Sequence, residues 1–93
     1  MFDRILNRMR EKIRARQYVM TLHAEDEMND DRLSVFDVES GILTGEIIER
    51  QKDKTTGEWK YLVSGKTLTD DVIIVVGKLS LTGKLVIITV YRK

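Results

Sequence analysis

The sequence predicts an α+β domain: two to three N-terminal helices followed by a four-stranded, mainly antiparallel sheet. Three observations carry this. Up to Gly45 the apolar residues recur at a helical spacing, whereas beyond it they alternate or run in strand-length blocks. The links between those later blocks are short and rich in Gly, Asp and Thr, which suits antiparallel neighbours, because a parallel crossover needs about a dozen residues or more. The 93 residues are enough for one core and too few for a second, so residues 1–93 read as a single domain.

Phe2, Ile5, Leu6, Met9 and Ile13 form one stripe with Arg and Lys between them, so residues 2–16 read as an amphipathic helix within a basic 1–17 segment. A core face explains the stripe; its basic outer side also suits a membrane surface or nucleic acid. Tyr18 to Leu22 is β-prone and reads as an extended connector or an edge strand. His23 to Arg32 follows as a short helix, started by Thr21 or His23, its acidic first turn facing the positive end of the helix dipole. Ser34 then caps a third helix with Asp37 closing a capping box, and Leu33 and Val38 are spaced as a hydrophobic staple. Val35, Val38, Ile42 and Leu43 make its buried face, Gly41 marks a close helix–sheet contact, and Gly45 is expected as the left-handed residue that ends it.

Strands are expected at Glu46–Lys52, Trp59–Ser64, Val72–Leu81 and Lys84–Tyr91, joined as a meander in sequence order. Thr82-Gly83 is the tightest hairpin and Gly77 a bulge site. Val72–Val76 and Leu85–Ile88 are apolar at every position. The last two strands are therefore expected to be central and covered on both faces, by helices or by a second copy of the chain. With Trp59 also to be covered, a homodimer is one expected partner arrangement.

Composition excludes several functions. There is no Cys, hence no disulfide framework, thiolate metal site or thiol nucleophile. No signal-peptide core is apparent, and no apolar run approaches the roughly 20 residues of a membrane span. A cytoplasmic protein with no membrane partner is the expectation. Charge is unevenly spread: residues 1–22 carry a net +4, residues 23–49 a net −8 and residues 50–93 a net +5, within an overall +1. Basic ends and an acidic middle suit a polyanion on one surface and a basic partner on another, or simply solvated faces.

His23 is the only histidine. Its ordinary pKa of about 6.5 suits a general acid or base, and its place at a helix start equally suits a structural cap. His23 and Glu27 are four apart on a helix but have no recognisable third ligand, so no metal and no cofactor are expected. The glycines are isolated, which excludes a phosphate loop. Trp59-Lys60-Tyr61 and Tyr91-Arg92-Lys93 pair aromatics with cations, the chemistry that stacks bases and neutralises phosphates. Trp59 and Tyr61 share a face of a strand, as platform or as core, whereas Tyr91 and Arg92 alternate sides.

His23-Ala24 with Met28, then Ser34, Val38, Ile42, Gly45-Glu46-Ile47-Ile48-Glu49, Tyr61-Leu62-Val63-Ser64-Gly65 and Ile88-Thr89-Val90-Tyr91 resemble an uncharacterised bacterial and archaeal domain family. Its pattern is a His-Ala-x-x-Arg-Met helix start, a Gly-Glu-Ile-Ile strand start and a Thr-x-Tyr end. The resemblance covers residues 21–91. The family in turn resembles the RelE, BrnT and MqsR toxins, which cleave RNA without metal and are held inactive by an antitoxin. The resemblance implies a RelE-like fold and a toxin-type, metal-independent endoribonuclease. His23 or Tyr91 would move protons, Arg92 would meet the phosphate charge, and Lys60, Lys66 and Lys84 would contact the RNA backbone. An antitoxin-like protein and RNA are then the expected partners. Glu27 stands where the family pattern has Arg, replacing a phosphate-binding charge with a repelling one. That departure favours the rival expectation, a non-catalytic protein-interaction module.

Overall fold

The computed structural model describes residues 2–93. Helix α1 (Asp3–Arg14) buries Leu6, Met9 and Ile13, one helical turn apart, as the apolar stripe dictates. The chain reverses through Arg16, at φ 56°, into the short strand β1 (Tyr18–Met20). In α2 (Leu22–Asp30) the cap is Thr21 and not His23: the Ala24 N–H donates to Thr21 Oγ1 at 3.1 Å. Helix α3 (Val35–Thr44) begins with the expected capping box. The Asp37 N–H donates to Ser34 Oγ at 3.2 Å, and the Ser34 N–H donates to Asp37 Oδ2 at 3.0 Å.

The end of α3 differs from the expectation. Gly45 is extended (φ −93°, ψ −178°) rather than left-handed, so the chain leaves the helix directly into a strand. Arg10 of α1 takes over the role of a cap: its Nη2 donates to Gly45 O at 2.8 Å and its Nε to Ile42 O at 3.3 Å. A guanidinium there meets both the unpaired carbonyls and the negative end of the helix dipole.

Strands β2 (Glu46–Lys52), β3 (Trp59–Lys66), β4 (Val72–Leu79) and β5 (Leu85–Arg92) form the antiparallel meander. The sheet nonetheless has five strands and is mixed, in the order β1-β5-β4-β3-β2, because β1 pairs parallel to β5 through Tyr18–Leu85, Val19–Val86 and Met20–Ile87. Of the two readings of residues 18–22, the edge strand is the one realised. The β4–β5 register slips between Val76 and Gly77, which leaves Ile88 as the extra residue on β5, so Gly77 does sit at a bulge.

All three helices pack on one sheet face. Leu6, Met9, Ile13, Ala24, Val38 and Ile42 join Tyr61, Val63, Ile73, Val75, Leu85, Ile87 and Val90 in a single core. Helix α3 crosses β3 through glycines. A Cβ on Gly65 would lie 1.9 Å from Gly41 O, and one on Gly45 would lie 2.4 Å from the same oxygen. The expectation of cover on both faces of the last two strands is corrected here. Ile74 and Val76 alternate away from the core, and no helix among the described residues packs over them. Their low exposure (2 % and 6 %) comes from cross-strand neighbours, Ser64 and Tyr91 beside Ile74, Leu62 and Thr89 beside Val76.

Two stability measurements follow from this packing. Gly65→Ala drives a methyl group into the Gly41 backbone and should cost about 3 kcal/mol in urea unfolding, whereas Lys54→Ala, in an exposed turn, should stay within about 0.5 kcal/mol of wild type. Equal midpoints for the two variants would show the α3–β3 contact to be looser than described. Asp37 supplies the pH test. Chiefly the Ser34 N–H, and with it the Leu68 N–H at 3.0 Å and the Ser34 hydroxyl, hold its carboxyl below the usual carboxylate range, against the opposing effect of partial burial. A lowered folded-state pKa stabilises at pH values above the unfolded value of about 4 and ceases to do so as pH falls through the lower folded value. Asp37→Asn should therefore cost about 1 kcal/mol at neutral pH, and its unfolding midpoint should begin to approach that of wild type only as pH falls below about 4, meeting it once the pH is under the lowered folded-state value.

Candidate functional site

Helix α2 lies along the edge of β5 beyond the point where β1 ends, and its side chains take the place of a neighbouring strand. The Thr21 N–H donates to Ile87 O at 3.0 Å and its hydroxyl to Ile88 O at 3.1 Å. Farther along, the Val90 N–H donates to Glu27 Oε1 and the Arg92 N–H to Asp31 Oδ2, both at 3.2 Å. The spacing explains why two carboxylates four apart can do this. Four helical residues advance about 6 Å, and two strand residues, which separate N–H groups on one edge, advance about 6.6 Å. Glu27 thus has a defined role that an Arg could not fill, since an N–H edge requires acceptors.

His23 sits one turn before Glu27, with Nε2 3.1 Å from the same Oε1, and its side chain is 67 % exposed. The pair is ionic only when the imidazole is protonated. It gives an accessible proton-exchanging group beside a carboxylate, which is the geometry of an oriented acid or base and equally that of a surface i, i+4 pair.

The other candidates separate. Tyr91 lies opposite Ile74, on the face away from the helices, whereas Arg92 lies opposite the core residue Ile73. Arg92 is held there: Nε donates to Asp31 O at 3.0 Å and Nη1 to Asp71 Oδ2 at 2.9 Å. The strand alternation that put the two on opposite sides persists to the end of β5, and Arg92 joins α2 to the β3–β4 loop. Among the described residues, no group of three or more His, Asp or Glu side chains is placed to hold a metal ion.

Lys60, Lys66 and Tyr91 do share a surface. By register, Lys60, Leu62, Ser64 and Lys66 of β3 face the same way as Ile74, Val76 and Lys78 of β4, and as Val86, Thr89 and Tyr91 of β5. The result is an aliphatic centre with lysines at both ends. Glu46 and Glu49 lie along the β2 side, and a groove of about 310 Å³ opens at one end between Glu46, Ile48, Ser64, Lys66 and Val72. Lys84 lies elsewhere, in the β4–β5 turn.

Trp59 and Tyr61 share the opposite face, but only Tyr61 is core, with the Phe2 ring edge-on at 5.9 Å. Trp59 is 40 % exposed, and Arg50 stacks over its ring at 4.1 Å with Lys52 at 5.8 Å. Sequence reading passed over Arg50 and Lys52. The only signal for them was their placement on the neighbouring strand at positions that pair with Tyr61 and Trp59.

Residues 20–92 match a family model described as a domain of unknown function, DUF4258. The chain belongs to that family. No curated protein and no solved structure matches it in the same kind of comparison. The DUF4258 span contains α2, α3 and the whole meander, and so His23, Glu27, the open sheet face and Trp59. Helix α1 precedes the span, yet through Arg10 it completes the end of α3 inside it.

The edge role of Glu27 and Asp31 can be measured directly. Glu27→Ala and Asp31→Ala should each lose about 1–2 kcal/mol by leaving a strand N–H without its acceptor. Amide exchange should quicken at Val90 in the first variant and at Arg92 in the second. Exchange unchanged at both amides would assign these carboxylates to solvent.

Proposed function

We propose that this protein is a non-catalytic protein-interaction module whose open sheet face holds an acidic, amphipathic segment of a partner protein. The observation that carries the reading is the orientation of Ile74 and Val76 on the central strand, away from every helix, among Leu62, Val86 and Tyr91. Ile74 and Val76 are already screened by their strand neighbours, so the surface that gains by excluding water is the ring of half-buried and exposed side chains around them, Leu62, Val86 and Tyr91. The choice of partner follows from the rim. Lys60 at one end and Lys66 at the other favour carboxylates on both flanks of the occupant's apolar stripe, Lys78 being already paired with Glu58.

A synthetic helical peptide with a Leu stripe flanked by Glu, compared with its Lys-flanked counterpart, tests this. The Glu-flanked peptide should bind more tightly, with amide shift changes at Leu62, Val76 and Val86. Lys60→Glu with Lys66→Glu should reverse the preference. No preference between the peptides, or shift changes confined to the helices, would sink the reading. A dimer mass that rises with concentration in light scattering and disappears in Val76→Lys would give the face to a second copy of the chain instead.

A second reading is favoured by one observation, that Tyr91, Lys60 and Lys66 lie on one face. It makes the protein a RelE-like toxin, a metal-independent endoribonuclease, and its acidic partner an antitoxin-like protein. Proton transfer would fall to Tyr91 or His23, and loss of such a group typically lowers a rate by about 10²–10⁴. RNA cleavage that persists with chelator and is lost in both Tyr91→Phe and His23→Ala would establish it. Arg92 is a poor member of that site, since Asp31 and Asp71 already hold it.

A further inference from the structure

The open face leaves unexplained the exposed tryptophan on the other side of the sheet. Trp59 is the only tryptophan of the chain, and it is left two-fifths exposed although Ile5 and Arg8 of α1 line the groove beside it. One ring face carries the Arg50 guanidinium. The ring also borders a groove of about 240 Å³ lined by Ile5, Arg8, Glu58, Tyr61, Leu79 and Leu81. The one carboxylate there, Glu58, is 3.4 Å from Lys78 and so already paired. Arg8 is exposed on α1. Lys12, one turn further along α1, brings its Nζ to within 3.9 Å of where a Cβ on Gly83 would stand, next to Lys84 in the β4–β5 turn.

We propose that this groove is a binding site for single-stranded nucleic acid, in which one base stacks on Trp59 and the flanking phosphates meet cations on either side. Arg50 and Lys52 reach the ring from β2, while Arg8 lines the groove from α1. Cations on two elements therefore bracket one aromatic ring above an apolar floor of Ile5, Tyr61 and Leu79. This is the pattern that a strand of alternating bases and phosphates fits. Stacking on a ring face is open to any base, so the site reads backbone and not sequence. A duplex keeps its bases stacked inside and cannot place one in the groove. The inference is independent of the partner assigned to the open face, because no residue is shared between the two surfaces except the Lys78 that neutralises Glu58.

Because Trp59 is the sole tryptophan, its emission reports the site directly. Full-length protein is titrated with a short oligouridylate at low salt, with anisotropy of a labelled oligomer as the second readout. The emission should be quenched, and affinity should fall as salt is raised. Arg8→Gln and Arg50→Gln should each weaken binding and flatten the salt dependence by about 0.7 in log–log slope, the value for one phosphate of a single strand left without its cation. Trp59→Ala should weaken binding about tenfold, with Trp59→Phe close to wild type; circular dichroism confirms that each variant is folded. Absence of both quenching and anisotropy change at low salt overturns the proposal. So does binding that tolerates Arg8→Gln and Arg50→Gln together, and so does quenching by phosphatidylserine vesicles with none by the oligomer, which would make the patch a membrane-surface contact.

Discussion

The fold depends on how closely α3 lies on β3. With Gly41, Gly45 and Gly65 at the crossing, helix and strand backbones touch where side chains would ordinarily hold them apart. The contact is reinforced by polar bonds at the same end. Ser40 Oγ donates to Lys66 O at 2.7 Å, and the Lys66 N–H donates to Thr44 Oγ1 at 2.9 Å. Val38 and Ile42 are thereby pressed into the centre of the core, fully buried. Helix α1 lies beside α3 and is fixed by Arg10 at the carbonyls that α3 leaves unpaired. One face of a small sheet is thus filled by three short helices drawn in tightly, and no helix among the described residues covers the other.

The two sheet edges are handled differently. The β5 edge is closed by β1 and then by acceptors on α2. The β2 edge is left open but carries Glu49, Arg50, Gln51 and Lys52 and a register slip at Ile48, devices that discourage another strand from pairing there. Strand addition is therefore disfavoured at both edges, by closure at β5 and by charge and irregular register at β2.

The helix starts, the meander and the Gly77 bulge were legible because each has a local signature: a capping residue, a period of two, a glycine at an irregular register. The parallel strand β1 was not, since three residues carry too little alternation, and its partner Leu85–Ile87 lies far along the chain. The role of Glu27 was hidden for a related reason. Its meaning depends on a backbone N–H of Val90, and no spacing in the sequence links a helix carboxylate to a strand edge. Alternation correctly separated Tyr91 from Arg92, but the sequence could not reveal that Asp31 and Asp71 already occupy that arginine. Trp59 and Tyr61 were correctly placed on one face. Which of them became core was decided by where α1 lays Phe2.

The charge blocks of the sequence take on a different meaning once their partners are known. Four of the nine carboxylates of the acidic middle segment are engaged by the fold itself. Glu27 and Asp31 accept from the β5 edge, and Asp37 accepts from Ser34 and Leu68. Glu39 accepts from the Tyr18 hydroxyl, whose pKa is pushed up to about 12, first by burial and then by that bond. These carboxylates are therefore less able to attract a basic partner than their number suggests. Of the basic residues, Arg10 and Arg92 are likewise committed to internal bonds, but Arg4, Arg8 and Arg14 remain on the exposed side of α1, Arg16 is exposed in the turn after it, and Arg50 and Lys52 are exposed around Trp59. A chain whose formal charge is nearly balanced thus presents a basic surface along α1 and the Trp59 end. The field a polyanion meets there is set by the charges left free after folding, not by the totals along the sequence.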